Sequence, residues 1–534
     1  DRSMPVEPSK LWRSRGHSPP RSQSPSDEQS TEESEGCQAG TLGCPCIEGL
    51  CLMGLMCEEG ICVEAEADTS DESSSDTSDE GSSDTSDEGS SDTSDESSSD
   101  TSDESSESTT TGGEGNTCDA PNGAFGCEFQ AVKLPVRDGS YLDTWSLDIV
   151  VGNPGPDDAE VEVEVRQGGV WTTIHGPLLV PAGELYTFYN YGNEDLVPPG
   201  LHEGLAYRVR STAPIVAHQI GATQGATNLM PSATWGWDYL SVDFTELRNM
   251  VVVLAKTDST TVLIQPSQDL TAGPEVPAGS APFQVLMDEG DALALYRPQA
   301  GSLQGMAITS DPNHPVAVLT SSYGTHFAAN SQEQLLDRAH MSTTHLAFTT
   351  PTKLPYAVGQ SASYRVYAPE PALINIDAPR ETQVIPGSPV ALANPGSVEL
   401  YLGSWTEPQL GEALLTTSVP TALLTRSEAS FDPYFNTSSA LSVPPDLLAA
   451  RYGVPVVDDD PDFPQVVVVT YPTGSIHTFD GQVEAPALEP HEFVDGWSIA
   501  RYVLPPGMYV LESDEPVAAT IGGRSWALSA GAAL

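Results

Sequence analysis

The sequence predicts an all-β protein: tandem β-sandwich-like repeats behind a disordered leader, a small disulfide knot and a disordered acidic linker. Three observations carry this reading. Short apolar alternations, VEVEV at 161–165, TTVLI at 260–264 and VVVVTY at 466–471, stand between clusters of Gly, Pro, Asn and Asp, as strands stand between turns. A pattern of about one hundred residues recurs four times after residue 117. All eight cysteines lie before residue 128, so nothing beyond that point is stapled.

Residues 1–36 are polar and rich in Pro and Ser, and carry no apolar stretch that would mark a signal peptide. They are expected to form a disordered leader. The segment 37–63 crowds Cys37, Cys44, Cys46, Cys51, Cys57 and Cys62 between Gly-rich turns. So short a segment buries little core and needs covalent staples, which makes three disulfides the expected framework, in any connectivity. A metal site fits less well, because C-x-x-C pairs and nearby His are missing. Cys118 and Cys127 are expected to close a separate small loop. Disulfides imply an oxidising compartment, hence an extracellular or outer-surface location.

Residues 64–117 read as a linker. The pentad DTSDE starts at Asp68, Asp76, Asp84, Asp92 and Asp100, and residues 68–107 hold 16 acidic groups and no basic one. Such a tract cannot offset its ordering entropy by burial, and its like charges hold it open. Fully extended it would span roughly 180 Å.

The acidity does not end there. The chain carries 76 acidic and 21 basic residues, a net charge of −55, and residues 118–534 alone keep 47 against 16. This excludes the basic footprint of a nucleic-acid binder and electrostatic docking on anionic lipid. It fits a protein working in salt water, where repulsion is screened. No apolar run is long enough to predict a transmembrane helix. A lipid anchor remains a candidate that no residue of this chain displays.

Four repeats are expected at 118–224, 225–326, 327–427 and 428–534. The segments Gly204–Gln219, Gly305–Thr320, Gly411–Thr425 and Gly507–Ile521 each show a Gly, an alternating strand, a Pro and a second apolar strand. Their prolines, Pro214, Pro315, Pro420 and Pro516, are 101, 105 and 96 residues apart. Pro is tolerated where its missing N–H removes no ladder bond, so it is expected to start the second strand. One-faced burial then requires two packed sheets per repeat. Helical periodicity is confined to two short candidates, Ser331–Arg338 and Asp446–Tyr452.

These features resemble the N-terminal domain of the IgGFc-binding protein family in its bacterial surface-protein version. The resemblance rests on Thr257–Ile264, Gly305–Thr320, Gln332–Leu335 (QEQL), Tyr471–Gly481 and Gly507–Gly523, and covers roughly 200–534. The Cys-rich segment and acidic stalk look like the front end of myxobacterial surface lipoproteins. The resemblance implies a non-catalytic adhesive or mucus-binding module. Literal binding of antibody Fc is not implied. The chain departs from the family in having no cysteine after Cys127.

Chemistry is sparsely signalled. No nucleophile elbow, zincin helix, P-loop or dinucleotide fingerprint occurs. Asp458, Asp460 and Asp462 have a spacing that can ligate calcium, the one cofactor to consider, although Phe463 and Val469 stand where an EF-hand needs Gly and Glu. His326, His340 and His345 would make a metal site only if Glu333 or Asp337 converged on them. Trp235, Trp237 and Tyr239 are candidates for stacking on sugar, with strand packing as the competing role. The best-fitting function is an extracellular cell-surface binding or adhesion protein, its partner an extracellular protein or glycan. A structural envelope or matrix protein without a discrete ligand is the alternative. A secreted glycan hydrolase is third, and would need two inward carboxylates in one cleft.

Overall fold

The computed structural model describes residues 55–58, 61–64, 118, 124–134, 147–190, 199–221, 226–243, 248–297, 301–323, 331–348, 361–379, 383–403, 411–428, 438–457, 465–522 and 527–529. The chain divides into two compact parts, Asp1–Glu107 and Ser108–Leu534. In the first, Leu55–Glu58 pairs antiparallel with Ile61–Glu64, which sets Cys57 opposite Cys62. Cys37, Cys44, Cys46 and Cys51, the leader and nearly all of the acidic tract lie outside the described residues. No helix among the described residues is long and apolar enough to cross a membrane.

The second part is all-β, and within each expected repeat the strands pair mainly with one another. Their strands follow from alternation: Ala372–Asp377, for example, buries every second residue and exposes the rest. Each repeat pairs its strands in two sheets, and in the first, third and fourth one long strand serves both. In the first repeat, Tyr207–Gly221 pairs through Tyr207 to Ser211 with Ala159–Gln167, and from Val216 onward with Leu147–Gly152. In the third, Ala413–Glu428 pairs with Ala372–Asp377 up to Thr417 and with Ser361–Ala368 from Ala422. In the fourth, Gly507–Gly522 pairs with Ala449–Val456, then from Ala518 with Val466–Pro472. The second repeat splits the same path into Ala307–Thr309 and Val316–Tyr323. The four recurring prolines therefore stand where the chain leaves one sheet for the other. That is the point at which a missing N–H costs no ladder bond.

The residue after each proline bonds back to the opening strand of its repeat. The pairs are Gly126 with Ile215, Gly236 with Val316, Ser342 with Thr421 and Ala449 with Val517. Three residues beyond each opening position stands a buried ring: Phe129, Tyr239, His345 and Tyr452. The Tyr239 hydroxyl accepts from the Gly236 N–H and donates to the Val316 carbonyl, both at 2.8 Å. Tyr452 repeats this with Ala449 and Val517, both at 2.7 Å. In the third repeat His345 Nε2 takes the place, 3.1 Å from the Ser342 carbonyl and 2.9 Å from Thr421 Oγ1. Phe129 shows that the site accepts a ring without a hydroxyl. Tyr452→Phe should thus fold, but it leaves a buried N–H and carbonyl unmatched. The expected loss is about 1–3 kcal/mol in urea unfolding, and a variant as stable as the parent would deny the latch its role.

Sheet pairing carries each repeat past the boundaries expected at 224, 326 and 427. Ala226–Leu229, Ser331–Gln334 and Ser438–Leu441 return as hairpins onto the preceding long strand, as Ala527–Ser529 does in the fourth repeat. In the opposite sense Gly200–His202, from the first interval, pairs with Ala292–Tyr296 of the second repeat. The two short helix candidates are not helices of that extent. Ser331–Gln334 is a strand and Arg338–His340 a single 3₁₀ turn, while Pro445–Leu447 is a 3₁₀ turn ahead of the strand Ala449–Val456.

The four closing strands form a ring. Ala226–Leu229 lies against Ser331–Gln334, that strand against Ser438–Leu441, that against Ala527–Ser529, and Ala527–Ser529 against Ala226–Leu229. The QEQL segment clasps it. The Gln334 N–H donates to Thr227 Oγ1 at 3.0 Å, the Met230 N–H to Gln334 Oε1 at 2.9 Å, and the Leu441 N–H to Glu333 Oε2 at 3.1 Å. Each interface between repeats has an apolar patch. Val132 and Leu134 meet Met250, Val252 and Leu319. Val242 meets Tyr367, Leu424 and Leu441, and Phe348 meets Val466 and Val468. Met508 of the fourth repeat meets Phe125 and Val216 of the first, which closes the ring. At that last interface a Cβ on Gly453 would sit 2.6 Å from Met508 Cε and 2.7 Å from Val216 Cγ1, so only Gly permits the approach.

One buried group works against this packing. His218, four residues after Pro214, is 1% exposed, and neither ring nitrogen has a hydrogen-bond partner among the described residues. Leu319 and Leu424 hold the same position in the next two repeats. Burial pushes the His218 imidazole down to about 3 and His345 down to about 4. Both lie below the value near 6.5 of an unfolded chain, so the unfolded state takes up protons first. The stability they allow is intact above about pH 6.5 and is lost as pH falls toward the folded values. Asp243 runs the other way: burial raises it to about 6, and the fold gains as that carboxyl protonates on acidification. His218→Leu should therefore be more stable than the parent at pH 7. Its advantage should widen below pH 6.5 by up to about 1.4 kcal/mol per pH unit. Urea unfolding at several pH values measures this, and parallel profiles would contradict it.

Candidate binding site

The three aromatic candidates do not form a sugar platform. Trp235 is 6% exposed and Tyr239 2%, and only Trp237, at 45%, faces solvent. The segment is not one continuous strand, since a 3₁₀ turn runs to Thr234 and the strand begins at Asp238. Trp235 instead donates its indole N–H to the Met230 carbonyl, and Tyr239 is the latch described above.

His345, Asp337 and Glu333 are engaged in the fold rather than gathered on a ligand. His345 is the third repeat's substitute for that latch. Asp337 accepts from the N–H groups of Trp237, Asp238 and Ala339, and Glu333 accepts from Leu441. Among the described residues no three His, Cys, Asp or Glu side chains are gathered as metal ligands. The calcium candidates Asp458, Asp460 and Asp462, and His326, lie outside the described residues. Cys118 and Cys127 are joined in a disulfide with their Cα atoms 5.2 Å apart.

A cleft that the sequence did not announce lies between the first and second repeats. Ala159–Gln167 and Val170–Val180 form a hairpin that turns over Gly168 and Gly169. Both glycines have positive φ, 57° and 80°, as a two-residue hairpin turn requires. The hairpin reaches the second repeat and is bolted to it by charge. Arg166 donates to Asp258 Oδ1 at 2.6 Å and to the Glu289 carbonyl. Arg208 pairs with Glu164 at 2.8 Å and with Glu289 at 3.1 Å. Its guanidinium lies 4.1 Å over the Trp171 ring, whose N–H in turn bonds Glu289 at 3.1 Å. The Asp291 carboxylate ties two further loops, accepting from the Gly204 N–H at 2.9 Å and the Asp288 N–H at 2.8 Å.

Between these walls is a cavity of about 790 Å³. Ile174, Leu201 and Leu286 give it apolar surface, and Gln167, Glu203 and Asp288 give it polar surface. Its electrostatics follow from the bolts. The Arg166 hydrogen bond holds the Asp258 carboxyl below its ordinary range. Burial raises Asp291, and its neighbours Asp288 and Glu203 add to the rise, against the two N–H groups that lower it. The cations of the wall are engaged by wall carboxylates, and Glu203 has no ion pair among the described residues. A rigid, two-sided, net acidic recess of this size can hold a ligand. The hairpin glycines and the turn Asp288–Asp291 are its only traces in the sequence, and they stand some 120 residues apart.

No curated protein matches the chain, and no solved structure does. A protein-family model described as IgGFc binding protein matches residues 225–523, more than half of the chain and nearly the whole of the second to fourth repeats. The chain belongs to the IgGFc binding protein family.

Proposed function

We propose that this chain is a non-catalytic extracellular binding protein that acts in adhesion at the outer cell surface, with its β repeats displayed on the acidic stalk. The observation that carries the reading is the match to a family named for binding, across three of the four repeats. The disulfide Cys118–Cys127 supports an oxidising compartment. Binding to antibody Fc is not part of the proposal, and the partner class is an extracellular protein or glycan. The test is to immobilise the full chain and probe it with extracellular protein arrays, glycan arrays and whole cells. Saturable binding to a defined partner is expected. A chain that binds none of these yet is retained in the envelope would be a structural protein instead.

A further inference from the structure

We infer that the cleft between the hairpin 159–180 and the second repeat docks a basic, extended peptide segment of a partner protein, with a Lys or Arg side chain seated between Glu203 and Asp288. This rests on the binding reading above and gives it a site and a ligand chemistry.

Charge decides the class of ligand. The two cations of the wall are already neutralised, Arg166 by Asp258 and Arg208 by Glu164 and Glu289. Glu203 and Asp288 are exposed in the cleft, and the Asp288 carboxylate accepts the Ser259 N–H. An anionic ligand would be repelled. A cationic one would be drawn in from a distance by a body whose residues 118–534 carry 47 acidic groups against 16 basic. A neutral sugar wants an open aromatic face, but Tyr207, the aromatic that lines the cleft, is 6% exposed, and Trp171 beside it has Arg208 stacked on its ring and Glu289 on its N–H.

Shape decides the rest. Ile174 and Leu286, 38% and 63% exposed, stand at the cleft as surface for the aliphatic stem of Lys or Arg. The strand Phe283–Met287, which carries Leu286, has Thr260–Gln265 as its one neighbour among the described residues. Its other edge has no strand partner among the described residues, so it offers an added extended chain the arrangement by which many peptides are bound. The walls are fixed beforehand by the charge bolts, so little ordering entropy opposes binding.

The test uses the full chain and its Glu203→Gln/Asp288→Asn variant. The substitutions keep the Asp288 acceptor for Ser259 and leave the acidic stalk untouched, so a difference between the two proteins reads the cleft alone. The probe is a labelled peptide of about ten residues alternating Thr and Lys, in about 0.15 M salt, with its Lys-acetylated form as control. The parent should bind the Lys form, and the variant should bind at least about tenfold more weakly with unchanged melting. Equal affinity in the two proteins would assign the peptide to acidic surface outside the cleft and overturn the proposal. So would no binding to the parent, or a neutral oligosaccharide whose binding the variant abolishes. Cell attachment that survives in the variant would keep the adhesion reading and remove this cleft from it. Peptide binding without any cell attachment would do the reverse.

Discussion

A chain that begins at residue 225, where the family match begins, should aggregate rather than fold as a shortened version of the protein. Deletion of the first repeat uncovers two apolar faces at once. Met250, Val252 and Leu319 lose Val132 and Leu134, and Met508 loses Phe125 and Val216. It also removes Gly200–His202 from the second repeat's sheet and strands Ala226–Leu229 without the strand it pairs with. Contiguous apolar surface and open strand edges of this kind drive association. Light scattering after size exclusion should find a monomer for the parent and large assemblies for the deletion. A monomeric fragment with the parent's melting temperature would show that the first repeat is only an appendage.

Arg501→Met should be the most costly single substitution considered for this molecule. Arg501 and Glu412 form an ion pair across the third and fourth repeats, with side chains 3% and 6% exposed. Removal of the arginine leaves a carboxylate buried with its cation gone, at a cost of about 3–5 kcal/mol. Glu412→Leu added to it removes the orphaned charge, so the double variant should be more stable than Arg501→Met alone. Urea unfolding of the three proteins checks this. A loss under about 1 kcal/mol for Arg501→Met would mean that Glu412 reaches water or another partner.

The proline register was legible in the sequence because it answers a backbone requirement that no neighbour can waive. A strand that changes sheets has a point with no ladder bond, and Pro214, Pro315, Pro420 and Pro516 fall there. The closing strands were not legible. ATNL, SQEQ, SSAL and ALS share no apolar alternation by which a strand could be read, and in ATNL all four residues are buried. The latch lay open to sequence comparison but at another place than the hairpins. Phe129, Tyr239, His345 and Tyr452 align only when the opening strands are superposed, and His345 and Tyr239 instead suggested metal and sugar chemistry. The cleft could not be read, since Glu203 and the hairpin belong to the first repeat while Asp288 and Asp291 belong to the second. A charge taken by one wall looks the same in sequence as a charge left free.

The four repeats close on themselves, the last against the first. A photo-activatable methionine analogue tests it with little change of shape, because Met508 is buried against Phe125 and Val216 across 383 residues of sequence. On irradiation of monomeric protein, Met508 should cross-link to the peptides that carry Phe125 or Val216 within one chain. Cross-links from Met508 confined to the fourth repeat, or formed only between chains, would contradict a closed ring.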